Sequence, residues 1–172
     1  MLSPEANTEL SKISNDFILE KDQERKNEAE NMKIEIASAD HNTLMRMMRS
    51  GYDPVLRQDI IKRAHELGDD FIMEIIEKFQ KSRSDVFIDS AARILATCNS
   101  DISNKIINFY DDMKSPYAQS VALVILGFKG KEKDIRWLIE KHKEMIHLYP
   151  DKQFHEGAYY ALYELEYRLY SE

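Results

Sequence analysis

The stretch Asp53–Asp69, D-P-V-L-R-Q-D-I-I-K-R-A-H-E-L-G-D, decides how the chain is read. Asp53-Pro54 is a helix start: an oxygen-bearing side chain to cap, then a proline whose missing N–H costs nothing at the first helical position. Leu67-Gly68-Asp69 is a helix stop. The same frame recurs at Asp85–Asp101, Ser115–Lys131 and, with more drift, Asp151–Tyr167. The starts Asp53, Asp85, Ser115 and Asp151 lie 32, 30 and 36 residues apart, a period typical of stacked helical hairpins.

Numbered from each cap, the fourth place holds Leu56, Ile88, Ala118 and Phe154. The eighth holds Ile60, Ala92, Ala122 and Ala158, and the twelfth Ala64, Ala96, Leu126 and Leu162. These places share one helix face. Small residues at the eighth let a neighbouring helix approach closely.

Outward from the repeat, the chain reads as helix throughout. Pro4 to about Ala39 opens it, with Ser3 as cap, Glu5 in the first turn and Leu10, Ile13 and Phe17 at helical spacing. Within it Glu20–Asn31 is almost without apolar residues, so one long helix and two helices with a linker both fit. Then follow Asn42–Arg49, Asp53–Gly68, Phe71–Lys81, Val86–Cys98 capped by Asp85, and Ile102–Met113 capped by Ser100 or Asp101. Tyr117–Phe128, Lys131–Leu148 and Phe154–Tyr170 complete the series. Short connections make successive helices antiparallel neighbours.

The 172 residues are enough for one domain with a substantial core, and 43% hydrophobic with 32% charged residues suits a soluble helical protein. Five glycines and four prolines are too few for a turn-rich sandwich or barrel. The longest apolar run, Val121–Phe128, falls far short of the ~20 residues of a membrane span, so no membrane role is expected. The N-terminal residues lack the basic start and apolar run of a secretory signal, and Cys98 is the sole cysteine, so no internal disulfide forms. A cytoplasmic location is the expectation.

Net charge is −7, and residues 1–40, with ten acids and five bases, supply −5 of it. That distribution argues against nucleic acid, which needs a basic stripe, and suits a basic protein partner. A charge excess also simply keeps a chain in solution.

The frame resembles the second helix of the HEAT repeat family, especially its short bacterial variants, over about residues 41–170. Asp53, Pro54, Leu56, Arg57, Leu67, Gly68 and Asp69 match that family's pattern, as do Ala161, Leu162 and Leu165 in the last copy. Arginine at the fifth place survives only as Arg57 and becomes Asp89, Gln119 and His155, and Leu-Gly-Asp is lost after the first copy. The Trp-Leu-Gly-Tyr spacing of the TPR family is absent. The resemblance implies an all-α fold: a right-handed α-α superhelix, a solenoid of about four helical hairpins over residues 41–172. Residues 1–40 would form an acidic helical cap and the Tyr-rich last helix the opposite cap.

No catalytic or metal motif stands out. Glu144-x-x-His147 has half the spacing of a di-iron helix motif, but no second Glu-x-x-His exists. Cys98 sits at a helix C-terminus, where the dipole opposes a thiolate. Gly127–Lys131 follows a helix and lacks the Gly-Lys-Ser/Thr ending of a phosphate loop. No cofactor is expected.

The tenth place carries the functional expectation. It points away from the four-eight-twelve stripe, and Lys62 suits solvent there, but Ile94, Val124 and Tyr160 do not. The resemblance implies that second helices line a concave, partner-binding surface. The column then predicts a groove edged by Arg57, Arg93 and His155, with Tyr159 and Tyr163 beside Tyr160 as interface anchors. Burial of the same column under flanking helices is the competing reading. The expected function is a non-enzymatic adaptor that holds a protein or peptide in that groove. A bacterial immunity protein masking a basic toxin is an alternative resting on charge alone. HEAT-like enzymes, bilin lyases and an alkylpurine DNA glycosylase, form the other class. The glycosylase reading lacks positive charge, and the lyase reading rests on fold analogy only. Oligomeric state is left open.

Overall fold

The computed structural model describes residues 4–170, all of whose regular elements are helical. The expected Ser3 cap lies outside the described residues. Helix α1 spans Pro4–Ser38, and α2, His41–Ser50, is capped by Asp40, whose side chain accepts from the Thr43 N–H. A single turn, Pro54–Leu56, leads into α3, Arg57–Glu66. Then come α4, Asp69–Lys81, α5, Asp85–Thr97, and α6, Ser103–Phe109. Last are α7, Pro116–Lys129, α8, Ile135–Leu148, and α9, Glu156–Tyr170.

The caps show why these segments start and stop where they do. Asp53 accepts from the Val55 N–H, and Ser115 from the Ala118 N–H with Pro116 at the first helical position. Gly68 ends α3 with φ +84°, a conformation that a side chain disfavours, and Asp69 opens α4 directly after it. Two expected caps differ. Ser84, not Asp85, caps α5. At α6 the cap position is Ile102; Ser100 donates to Asp69, while Asp101 pairs with Lys131 and also has the backbone N–H of Ser103, the first residue of α6, against its carboxylate.

The odd-numbered helices pack in series, α1 on α3, α3 on α5, α5 on α7 and α7 on α9, while α8 closes against α9 and α4 against α5. One core runs through the helices, from Ile36, Leu44 and Ile60 through Phe71, Phe87 and Ile94 to Leu126, Leu138 and Leu165. Polar contacts bridge equivalent points of successive hairpins. Ser100 meets Asp69 31 residues away, and Lys131 meets Asp101 and Lys141 meets Asp111, each 30 residues away.

Helix α1 is continuous through Glu20–Asn31. Contacts such as Lys21 to Glu24 and Gln23 to Asn27 run along it, and no Gly or Pro interrupts it. Only its second half covers the body. Ile36 is buried, Ala29 packs against the core, and Arg25 reaches Asp53 at 2.7 Å. The expected cap is therefore partial: Leu10, Ile13, Phe17, Ile18 and Leu19 are exposed.

The tightest packing is between α7 and α9. A Cβ at Gly157 would fall on the Ser120 carbonyl, 2.7 Å from its carbon, and one at Gly127 would stand 2.8 Å from the Ala161 Cα. Gly157→Ala gains helix propensity of about 1 kcal/mol but overpacks this contact by about 3 kcal/mol, a net loss of about 2 kcal/mol. Urea unfolding monitored by circular dichroism measures it.

Candidate functional site

Between α3, α5 and α7 lies a cavity of about 370 Å³. Its apolar lining is Ile61, Ala92, Ala96, Val124 and Phe128, and its two charges are Arg57 and Arg93. Both arginines are half-buried, and neither makes an ion pair or a side-chain hydrogen bond among the described residues. A second cavity of about 430 Å³ adjoins it between α7 and α9, lined by Tyr117, Val124, Phe154, Gly157 and Tyr160. Val124 lines both, so the two cavities adjoin along α7 and are together called the groove. Tyr117 donates its phenol proton to Asp89 on α5, and burial together with that carboxylate pushes its pKa up to about 12, so it remains a donor.

The predicted residues divide three ways. Arg57, Arg93 and Val124 come together in the first cavity and Tyr160 lines the second. Ile94 does not join them; it is 0% exposed and belongs to the core. The reason is the crowding of α5, which α2, α3, α4 and α7 flank, so its tenth place faces a neighbour. His155 also leaves the groove. It turns toward α8, where its ring centroid lies 6.3 Å from that of His142 and its carbonyl oxygen stands 3.3 Å from His142 Nδ1. Tyr159 and Tyr163 are exposed on α9 and line neither cavity, although the Tyr159 ring packs edge-on against Tyr160 at the border of the second, 5.9 Å between centroids.

Sequence reading missed Ala92, Ala96 and Phe128 as lining. Ala92 and Ala96 occupy the eighth and twelfth places, which in α3 are the fully buried Ile60 and Ala64. On α5 the buried face is rotated toward Ala91, Ile94 and Leu95, and the two alanines open onto the groove. Their small size was the available signal, since it leaves a hollow between larger neighbours.

A larger cleft, about 520 Å³, lies between α4 and α5 and is lined by Arg49, Glu74, Lys78, Lys81 and Phe87. Its charges are largely engaged, with Lys78 3.0 Å from Glu74 and Arg49 over the Phe87 ring. Among the described residues no group of three His, Cys, Asp or Glu side chains is placed to hold a metal ion. Glu144 pairs with Lys141 at 2.9 Å. Among the described residues no helix is long and apolar enough to cross a membrane. No family model matches the chain, and no curated protein and no solved structure matches it.

Cys98 is buried, its Sγ 3.3 Å from the Leu95 carbonyl oxygen, and that burial pushes its thiol pKa up despite the Lys129 charge nearby. Because the thiolate is the reactive form, a disulfide reagent should label native Cys98 far more slowly than the urea-unfolded chain. The native rate should climb as pH rises. Equal rates in the two states, read by thiol absorbance, contradict the packing.

Proposed function

We propose that the chain is a non-enzymatic protein-binding module built on a HEAT-like, right-handed α-α superhelix, and that its groove holds a peptide segment bearing carboxylates beside apolar residues. The ~30-residue spacing of the inter-hairpin contacts supports the repeat architecture. The single observation that carries the binding reading is the pair Arg57 and Arg93, half-buried and with no ion pair among the described residues, at the rim of an apolar hollow. A guanidinium held in partly apolar surroundings attracts a carboxylate strongly and bidentately. Val124, Phe128 and Tyr160 then supply the apolar floor and an aromatic anchor.

Net charge alone favours a basic partner, and the acidic surplus does exist, but residues 1–40 carry most of it. The groove has the opposite character, so the proposed partner is acidic at the point of contact.

Selection of peptides from a displayed random library tests the reading. Enrichment of Asp or Glu next to aliphatic residues is expected. Loss of one charge-assisted pair, about 1.5–3 kcal/mol, means that Arg93→Ala or Arg57→Ala weakens the selected peptides by about tenfold or more. Val124→Asp should abolish binding while leaving circular dichroism unchanged. Peptides that bind equally well to all three variants would place the site elsewhere.

A further inference from the structure

We propose that a second copy of the chain docks on the outer face of the α8–α9 hairpin, giving a two-fold dimer in which α9 of each copy lies on α8 of the other.

Contacts on the inner sides fix which residues remain outside. On α8, Leu138 and Met145 are buried. Trp137 meets the Tyr110 ring edge-on at 5.1 Å, Lys141 reaches Asp111, and His142 turns to His155. What points away is Arg136, Ile139, Glu140, Lys143, Ile146 and His147, all of them exposed. On α9, Gly157 and Ala161 press on α7, and Arg168 donates to the carbonyls of Gly127 and Gly130. The opposite side carries Tyr159, Tyr163, Glu166 and Tyr170 at 4-3-4 spacing. The three tyrosines are 60%, 61% and 59% exposed, and Ile139 and Ile146 are exposed beside them.

The hairpin thus presents on α8 an aliphatic half carrying the cations Arg136 and Lys143 beside one carboxylate, Glu140, and on α9 an aromatic half carrying Glu166. A face with two complementary halves is satisfied by a copy of itself, the condition for an isologous interface. A two-fold axis running between the helices lays each half on the other. Because α8 and α9 are antiparallel, with His142 beside His155 and Tyr170 beside Glu132, Arg136 is level with Tyr163. The axis therefore sets Tyr163 and Glu166 over Arg136 of the second copy, and Tyr159 over its Ile139. Each contact occurs twice. Arg136 is free to make it, since its existing pair with Glu140 joins side chains 91% and 63% exposed and holds it weakly.

The area fits. Three tyrosines and two isoleucines at these exposures offer about 500 Å² a side, over half of the ~800 Å² that a stable pairing buries, and the flanking charged side chains add to it. The interface borders the second cavity through Tyr159, which packs on Tyr160, but leaves open the first cavity with Arg57 and Arg93, so it does not depend on the peptide-binding reading.

Sedimentation and light scattering on the full chain test it, with circular dichroism to confirm that each variant is folded. The wild type should be a dimer. Arg136→Glu and Glu166→Arg should each weaken dimerisation by about tenfold or more, and the two together should restore it, since the swapped charges attract again. Phe17→Glu, on the projecting part of α1, should leave the dimer intact. A monomeric wild type, a dimer indifferent to both single swaps, a folded double swap that stays monomeric, or a dimer lost with Phe17→Glu would each overturn the proposal.

Discussion

The close approach of α7 and α9 is the constraint on which the C-terminal half depends. Helix α7 is buried at Ala118, Ala122, Leu123, Ile125 and Leu126, so nearly every side of it is against protein. Its contact with α9 brings backbone against backbone at Ser120–Gly157 and Gly127–Ala161, which the missing side chains of Gly157 and Gly127 permit. Arg168 then ties the far end of α9 to the Gly127 and Gly130 carbonyls, 3.0 and 2.6 Å away, satisfying acceptors that the end of α7 would otherwise leave open. With α9 held at both ends its rotation is fixed. Tyr160 therefore meets Val124 at the groove, and Tyr159 and Tyr163 face outward.

Polar contacts do a different job. Lys131–Asp101 and Lys141–Asp111 are bridges whose carboxylates are 54% and 74% exposed, and pairs of this kind add little to stability. Their geometry is specific all the same. Each joins a helix start or face to the equivalent place one hairpin earlier, so the set keeps successive hairpins in one register. Lys141 adds more than charge. Its stem is largely buried, and its ammonium lies over the Tyr110 and Trp137 rings at 5.2 and 5.8 Å, a site where packing and cation–π attraction act together.

What could be read from sequence follows the same division between local and tertiary causes. Helix starts at Asp53 and Ser115 were legible, because a cap and the proline after it act within three residues. The continuity of α1 was not, because Glu20–Asn31 has no apolar stripe and its helicity rests on side-chain pairs along the helix. Val124, picked as an apolar residue at the tenth place, and Arg57 and Arg93, picked as its edges, do line one cavity, because α3, α5 and α7 lie side by side. Ile94 was misplaced for the converse reason. A place number fixes a direction on one helix, but α5 has neighbours on more sides than α3 has, and no count along the chain reports that. His155 likewise inherits the fifth place from Arg57, yet the single turn Gln153–His155 before α9 carries it toward α8.

The charge is divided along the molecule in a way that bears on assembly. Residues 4–24 of α1, about 30 Å of helix, carry six acids, Glu5, Glu9, Asp16, Glu20, Asp22 and Glu24, against Lys12 and Lys21. Two such segments repel, so their exposed apolar residues do not favour pairing of α1 with itself. The α8–α9 face mixes both signs and carries no such penalty. Between these lies the groove, whose only charges in its first cavity are Arg57 and Arg93. Three surfaces of distinct sign therefore occur on one chain, and each selects against the partners the others would accept. The proposed self-association by the hairpin face and the proposed peptide capture by the groove are compatible, because the fixed rotation of α9 turns Tyr160 toward the second cavity and Tyr163 outward, while the first cavity with Arg57 and Arg93 lies between α3, α5 and α7.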